Sequence, residues 1–143
     1  MGLMENPDAI LSASHLRKTK ARIAIITILM KSSHPLDVQQ LRDGLEQHHI
    51  VADETTVYRI IDAFIHAGIV RTILFGPNKQ QFELAALPHH HHFMCTQCGN
   101  VIAIPDCPIH IDEQALTQQY GISIRRHQLE FFGLCASCAA YRK

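Results

Sequence analysis

Apolar residues in the first half of the chain fall into three helical groupings. Residues 23–30 are apolar almost all round, as in a helix buried on most of its sides. His34-Pro35 interrupts that run, because proline disfavours helical backbone in the residue before it. Asp37 then offers a capping side chain to a second helix, with Val38, Leu41 and Leu45 at helical spacing. Asp53 caps a third, which carries Val57, Ile60, Ile61, Phe64 and Ile65 on one face and stops at Gly68. Residues 69–75 and 80–85 read as strands, separated by Gly76-Pro77-Asn78-Lys79 with strong turn chemistry. Three helices and a hairpin, in that order, predict a winged helix-turn-helix whose third helix enters a major groove.

The second half has a different rhythm. Ala85-Ala86-Leu87-Pro88 reads as a hinge between a first domain, 1–84, and a second, 89–143. Residues 93–96 and 101–104 are strand-like, a helix is expected from about 109 to 119, and 121–134 alternate like a strand. Strands enclosing one helix make this an α/β unit, and the whole chain an α+β protein.

Composition narrows the class without naming a function. A chain of 143 residues that is 47% hydrophobic can build one or two packed domains. No apolar run approaches the roughly 18 residues of a membrane-spanning helix. Residues 1–16 lack the basic start and apolar stretch of a signal peptide. The expectation is a soluble cytoplasmic protein with no membrane partner, where closely spaced cysteines hold metal more often than disulfides. Net charge is zero, yet residues 9–36 hold Arg17, Lys18, Lys20, Arg22 and Lys31 and no acidic residue. Such a patch is either a phosphate-binding surface or a solvated helix face. Opposite the apolar stripe of the third helix lie Thr55, Thr56, Arg59 and Asp62, with Tyr58 at the margin. These side chains can read base edges or grip phosphate, or simply stay wet.

Cysteine and histidine spacing carries the most chemistry. Cys95-x-x-Cys98 and Cys135-x-x-Cys138 offer four thiolates, the ligand set of a tetrahedral structural zinc. The 36 residues between the pairs exceed an ordinary zinc-ribbon spacing, so the ion would tie the start of the second domain to its end. Two pairs argue against a redox-active motif, which needs only one. Just before them stand His89, His90, His91 and His92. On a strand, successive side chains point to opposite faces, so His89 and His91 would look one way and His90 and His92 the other. One segment can then feed two metal sites. Cys107 is left over, either as a further ligand or as a buried structural thiol. No His-x-Glu…Pro-Cys-x-x-Cys or His-Glu-x-x-His pattern is present, so the expectation is not an enzyme.

In combination these motifs resemble the ferric uptake regulator family of bacterial metal-dependent repressors, from about Leu16 to Cys138. The resemblance rests on Arg17-x-Thr19-x-x-Arg22, His34-Pro35, Thr56-Val57-Tyr58-Arg59, Gly68-Ile69-Val70, Phe82-Glu83, the histidine run with Cys95-x-x-Cys98-Gly99, Gly121-Ile122, His127 and Gly133-x-Cys135-x-x-Cys138. It implies a winged-helix DNA-binding domain hinged to a dimerisation domain. It also implies three metal sites. Cys95, Cys98, Cys135 and Cys138 match the structural zinc ligands. His34, Glu83, His90 and His92 match a regulatory site joining the domains, and His89, His91, His110 and His127 match a second site within the dimerisation domain. Arg17 matches a minor-groove contact, and Thr56, Tyr58 and Arg59 fall on the recognition helix.

The sequence departs from the iron-type pattern at three places. Ala103 stands where a carboxylate often completes the interdomain site, His91 replaces an expected Asp, and His110 an expected Glu. Nitrogen-rich ligation favours zinc, nickel or copper over manganese. Glu83 is nevertheless retained, as in iron-type members, and no cysteine stands near Ala85, where some zinc-sensing members have a ligand. The Asp ligands on which the peroxide-sensing subfamily relies are absent. The resemblance thus implies a homodimeric repressor of metal-homeostasis genes that binds a palindromic operator, with zinc as the sensed ion and iron as the alternative. From a different class, a metal-buffering zinc module without specific DNA binding would also explain the histidines.

Overall fold

The structure, a computed structural model, describes residues 6–107 and 109–141. The chain divides into two compact units, Met1–Leu87 and Pro88–Lys143.

The first unit opens with a helix that the sequence reading did not include, α1 (Pro7–Ala13). Its signal was present but short: Asn6 caps it by accepting from Asp8 N–H at 2.9 Å, and Pro7 starts it. Helix α2 (Lys20–Lys31) is capped by the Thr19 hydroxyl and buries Ala24, Ile25, Ile26 and Leu29. A full capping box starts α3 (Val38–Gln47): Asp37 accepts from Gln40 N–H at 2.8 Å while the Gln40 side chain accepts from Asp37 N–H at 2.9 Å. Helices α2 and α3 approach closely at Gly44, where a Cβ would meet Ile28 Cδ1 at 2.8 Å. Helix α4 (Glu54–His66) begins at Asp53, which accepts from Thr56 N–H at 2.7 Å. It ends in a Schellman motif. Gly68 turns left-handed at φ 73°, Ile69 N–H reaches the Phe64 carbonyl at 2.9 Å, and Gly68 N–H reaches that of Ile65 at 3.0 Å.

Strands β1 (Val70–Leu74) and β2 (Gln80–Leu84) follow as an antiparallel hairpin, the wing, with Arg71 opposite Glu83. Leu36 bridges to Phe82 on the other side of β2, tying the hairpin to the helices. Leu11, Ile25, Ile26, Leu41, Leu45, Val57, Ile61 and Phe64 are fully buried in one core. Each contributes about 1.5–3 kcal/mol of transfer free energy.

The second unit is a three-stranded sheet, β3 (His91–Cys95), β4 (Val101–Ile104) and β5 (Glu130–Gly133), in the order β4-β3-β5. β3 runs antiparallel to β4 and parallel to β5. Between β4 and β5 lies α5 (Glu113–Tyr120), and α6 (Ala136–Ala140) follows β5. Two sequence expectations need correction. The central helix starts at Glu113 rather than near 109, because Asp112 is its cap and accepts from Ala115 N–H at 2.9 Å. Of residues 121–134, only Glu130–Gly133 is strand. Alternation alone cannot supply ladder partners, and the stretch before Glu130 pairs with no strand among the described residues. Few apolar side chains are buried here among the described residues, Met94 being one. Helix α5 buries no residue, and the buried cluster around the cysteines consists of Cys95, Cys135 and Cys138 with Phe93 and Leu134 against them.

Candidate metal centres and nucleic-acid interface

Parallel pairing of β3 and β5 assembles the four cysteines. Cys95 ends β3 in register with Gly133, so the ends of both strands carry their Cys-x-x-Cys turns side by side. Cys98 Sγ lies 3.8 Å from Cys135 Sγ, and all four sulfurs lie within 4.8 Å of one another. A tetrahedral zinc–thiolate site with bonds of about 2.3 Å has sulfur–sulfur edges of about 3.8 Å, so the donor set fits such an ion. Electrostatics agrees. Backbone N–H groups of Cys98 and Cys135 point at the Cys95 sulfur and hold its thiol well below the ordinary range. Hydrogen bonding to Cys135, with burial, pushes the Cys138 thiol up. A divalent ion at this position would offset the cost of ionising Cys138.

The histidine run begins just before β3 and enters it, and its side chains alternate. His89 and His91 form one pair, with Nε2 atoms 3.1 Å apart, and His90 and His92 form the other, also with Nε2 atoms 3.1 Å apart. His91 and His92 are each only 2% exposed. Oxygen acceptors fix the ring orientations. His90 Nδ1 donates to the Pro88 carbonyl at 2.6 Å, which leaves its Nε2 lone pair directed at His92. In the first unit, His34 Nδ1 likewise donates to the Pro35 carbonyl at 2.9 Å. An oxygen acceptor behind each ring is the usual support of a metal-binding histidine. Glu83, 4% exposed, is held by Arg71, whose Nη2 and Nε reach its Oε1 at 2.6 and 2.7 Å.

The other face of the run gathers a set that differs from the sequence expectation. His89, His91 and His127 converge, with His127 centred 4.7 Å from His89 and 5.3 Å from His91. The fourth potential ligand beside them is Cys107, whose Sγ is 3.9 Å from His127 Nε2. His110 is exposed and lies outside every such group among the described residues. Nor is Cys107 a buried structural thiol, since it is exposed. The described residues between β4 and α5 form no helix or strand, so spacing along the chain does not indicate which side chain turns toward the sheet. Glu113 was also not foreseen. It accepts from His127 Nδ1 at 2.7 Å and so directs Nε2 toward the cluster. Burial, reinforced by the neighbouring His89 and His127, pushes the His91 imidazole down, which favours the neutral form that a metal requires. Ala103 pairs with His92 across β3 and β4 and offers no ligand atom.

On α4 the apolar side sinks Val57, Ile60, Ile61 and Phe64 into the core. Thr55, Thr56, Tyr58, Arg59 and Asp62 remain exposed on the opposite side. Arg17 is exposed just before α2, where its carbonyl accepts from Arg22 Nη1 at 3.0 Å. No helix among the described residues is long and apolar enough to cross a membrane.

A model of the ferric uptake regulator family matches residues 13–132. The chain is 31% identical over 134 residues to the ferric uptake regulation protein of Escherichia coli (strain K12), covering 93% of this chain and 90% of that protein. The structure of the Vibrio cholerae ferric uptake regulator superposes with a TM-score of 0.75 at 29% identity, covering 87% of this chain and 96% of the other. That of the Helicobacter pylori ferric uptake regulator, described as having three functional metal binding sites, gives a TM-score of 0.77 and covers 97% of both chains. At 21% identity it speaks for the fold alone. The chain belongs to the ferric uptake regulator family. It is a metal-responsive regulator built on that family's α+β fold.

Proposed function

We propose that this protein is a homodimeric, zinc-responsive repressor that binds a palindromic operator in the cytoplasm and controls metal-homeostasis genes. The observation that carries the reading is α4: a capped helix with a buried apolar side and Thr55, Thr56, Tyr58 and Arg59 exposed, followed by a wing. That is the arrangement a major-groove reader needs. In this reading Thr56, Tyr58 and Arg59 contact the groove and Arg17 reaches the minor groove. Exposed Ile102, Tyr120, Ile122 and Phe132 in the second unit support a dimer interface there.

Structural zinc is assigned to Cys95, Cys98, Cys135 and Cys138, and a regulatory ion to His34, Glu83, His90 and His92. The regulatory ion supplies a bond between groups on either side of Leu87-Pro88. The residues do the rest. Pro88 and Pro35 carbonyls fix the rings of His90 and His34, and Arg71 sets the Glu83 carboxylate. Only if these four ligands bind the ion better in one domain arrangement than in others does loading shift the population toward it. Two-fold symmetry then sets a pair of α4 helices at half-site spacing.

Zinc is preferred because three of the four ligands are imidazoles. Iron is the second reading, favoured by the buried carboxylate of Glu83, a hard oxygen ligand. Operator gel shifts titrated metal by metal test both. The expected result is tighter operator binding on loading, with zinc acting at lower free concentration than iron. Iron acting at the lower concentration reverses the choice of metal. Equal operator affinity after chelation of the labile sites overturns the regulatory reading, and absence of any sequence-specific binding leaves a metal-buffering module.

A further inference from the structure

We infer that this chain's second metal site is a three-histidine, one-thiolate centre, with Cys107 as the fourth ligand in place of His110. The inference rests on the metal-responsive reading above and specifies one of its sites. Four observations converge on it. His89 and His91 bring their Nε2 atoms to 3.1 Å, and His127 Nε2 lies 3.9 Å from Cys107 Sγ. All four ligand atoms lie within 4.8 Å of one another. A tetrahedral ion with bonds of about 2.0 Å to nitrogen and 2.3 Å to sulfur has nitrogen–nitrogen edges of about 3.3 Å and nitrogen–sulfur edges of about 3.5 Å. The 3.1 and 3.9 Å separations lie within about 0.4 Å of those edges, near enough for an ion to draw the ligands in. His110 stays outside the group.

Supports behind the ligands are in place as well. Glu113 takes the Nδ1 proton of His127 at 2.7 Å, a carboxylate–histidine pair that orients the ring and raises its basicity as a ligand. The Cys107 thiol donates to the Ile109 carbonyl at 3.0 Å, which fixes the sulfur beside His127. Binding a divalent ion displaces that proton to solvent, leaving the sulfur as a thiolate. Three neutral imidazoles and one thiolate suit a borderline tetrahedral ion such as zinc or cobalt(II), and not hard, octahedral manganese. Glu113 is thus a positioning residue, acting through His127.

Cobalt(II) reads the ligand set directly, because thiolate ligation adds a sulfur-to-cobalt charge-transfer band that imidazole and carboxylate ligands cannot give. The full-length protein, with zinc retained in the four-cysteine site as checked by metal analysis after each titration, is titrated with cobalt(II) alone. The expected result is tetrahedral cobalt bands with a charge-transfer band. Cys107→Ala should lose that band, and its affinity at this site should fall by more than the roughly 10–100-fold that loss of an outer-shell partner costs. His110→Ala should match wild type. A wild-type titration without the band overturns the inference, as does a Cys107→Ala protein that retains both band and affinity. Since no operator is present, failure of DNA regulation leaves this result standing, and failure here leaves the interdomain switch standing.

Discussion

Arg71 reaches across the wing to the Glu83 directly opposite it, and two of its nitrogens, Nη2 and Nε, close on the same carboxylate oxygen at 2.6 and 2.7 Å. Glu83 is 4% exposed, so it loses most of its hydration on folding and needs a charged partner. Arg71→Ala should therefore destabilise the first unit by about 2 kcal/mol, the cost of a lost charge-assisted hydrogen bond. Urea unfolding followed through helical signal reads it. No change in midpoint would mean that Glu83 is satisfied without Arg71.

The hydrogen bond from His90 Nδ1 to the Pro88 carbonyl aims its Nε2 at His92. On the proposed mechanism, His90→Ala should weaken metal-dependent operator binding by roughly 5–150-fold, the usual range of an allosteric coupling. Binding without metal should stay unchanged, and the four-cysteine zinc should be retained. Gel shifts with and without zinc, alongside metal analysis, give all three quantities.

Cys98 is exposed, yet its sulfur sits 3.8 Å from Cys135 in the cluster that joins the ends of β3 and β5. Because the buried cluster at this end of the sheet is built around the cysteines themselves, Cys98→Ser should release the structural ion and unfold the second unit. The first unit has its own core and should keep its helices. Zinc content and thermal unfolding of the variant test this; a zinc-free protein with an intact β3–β5 pairing would contradict it.

Two hydrogen bonds from Thr56, the side chain's first and then the backbone's, hold the Asp53 carboxyl below the usual carboxylate range. Its folded value is thus depressed. The stability this cap contributes is complete above the unfolded value, about 3.9, and is lost as pH falls through the folded one. Asn caps nearly as well as Asp but does not titrate. The stability of wild type relative to Asp53→Asn should therefore fall below about pH 4. Thermal unfolding of both proteins at matched pH measures it, with acid effects elsewhere cancelling in the difference.

Arg59 is exposed on α4, so its removal costs no core packing. Arg59→Ala should leave the unfolding midpoint in place while weakening operator binding by about 1–3 kcal/mol. If Arg59 reads a base, the loss concentrates at one operator position; if it holds a phosphate, the loss is uniform across sequences. Operator variants in the same gel shift distinguish the two.

Helices α3 and α4 and the wing are legible in the chain because their signals are local. Asp37 and Asp53 cap within one turn, Leu41, Leu45, Ile61 and Phe64 recur at helical spacing, and Gly68 supplies the left-handed stop. Local too are the two-residue spacers within each cysteine pair and the unbroken run of four histidines, which alternates once it lies on a strand. Tertiary structure decided what those local signals lacked, namely partners distant in sequence. The alternation of residues 121–134 gave no measure of which residues would find a ladder, and only Glu130–Gly133 pairs with β3. That parallel pairing aligns the two Cys-x-x-Cys turns. Glu113 meeting His127, Arg71 meeting Glu83, and Cys107 rather than His110 facing His127 each depend on how a strand, a turn or a helix start is packed in space. Periodicity reports which face of an element is buried, and only packing determines which side chain from another element meets it.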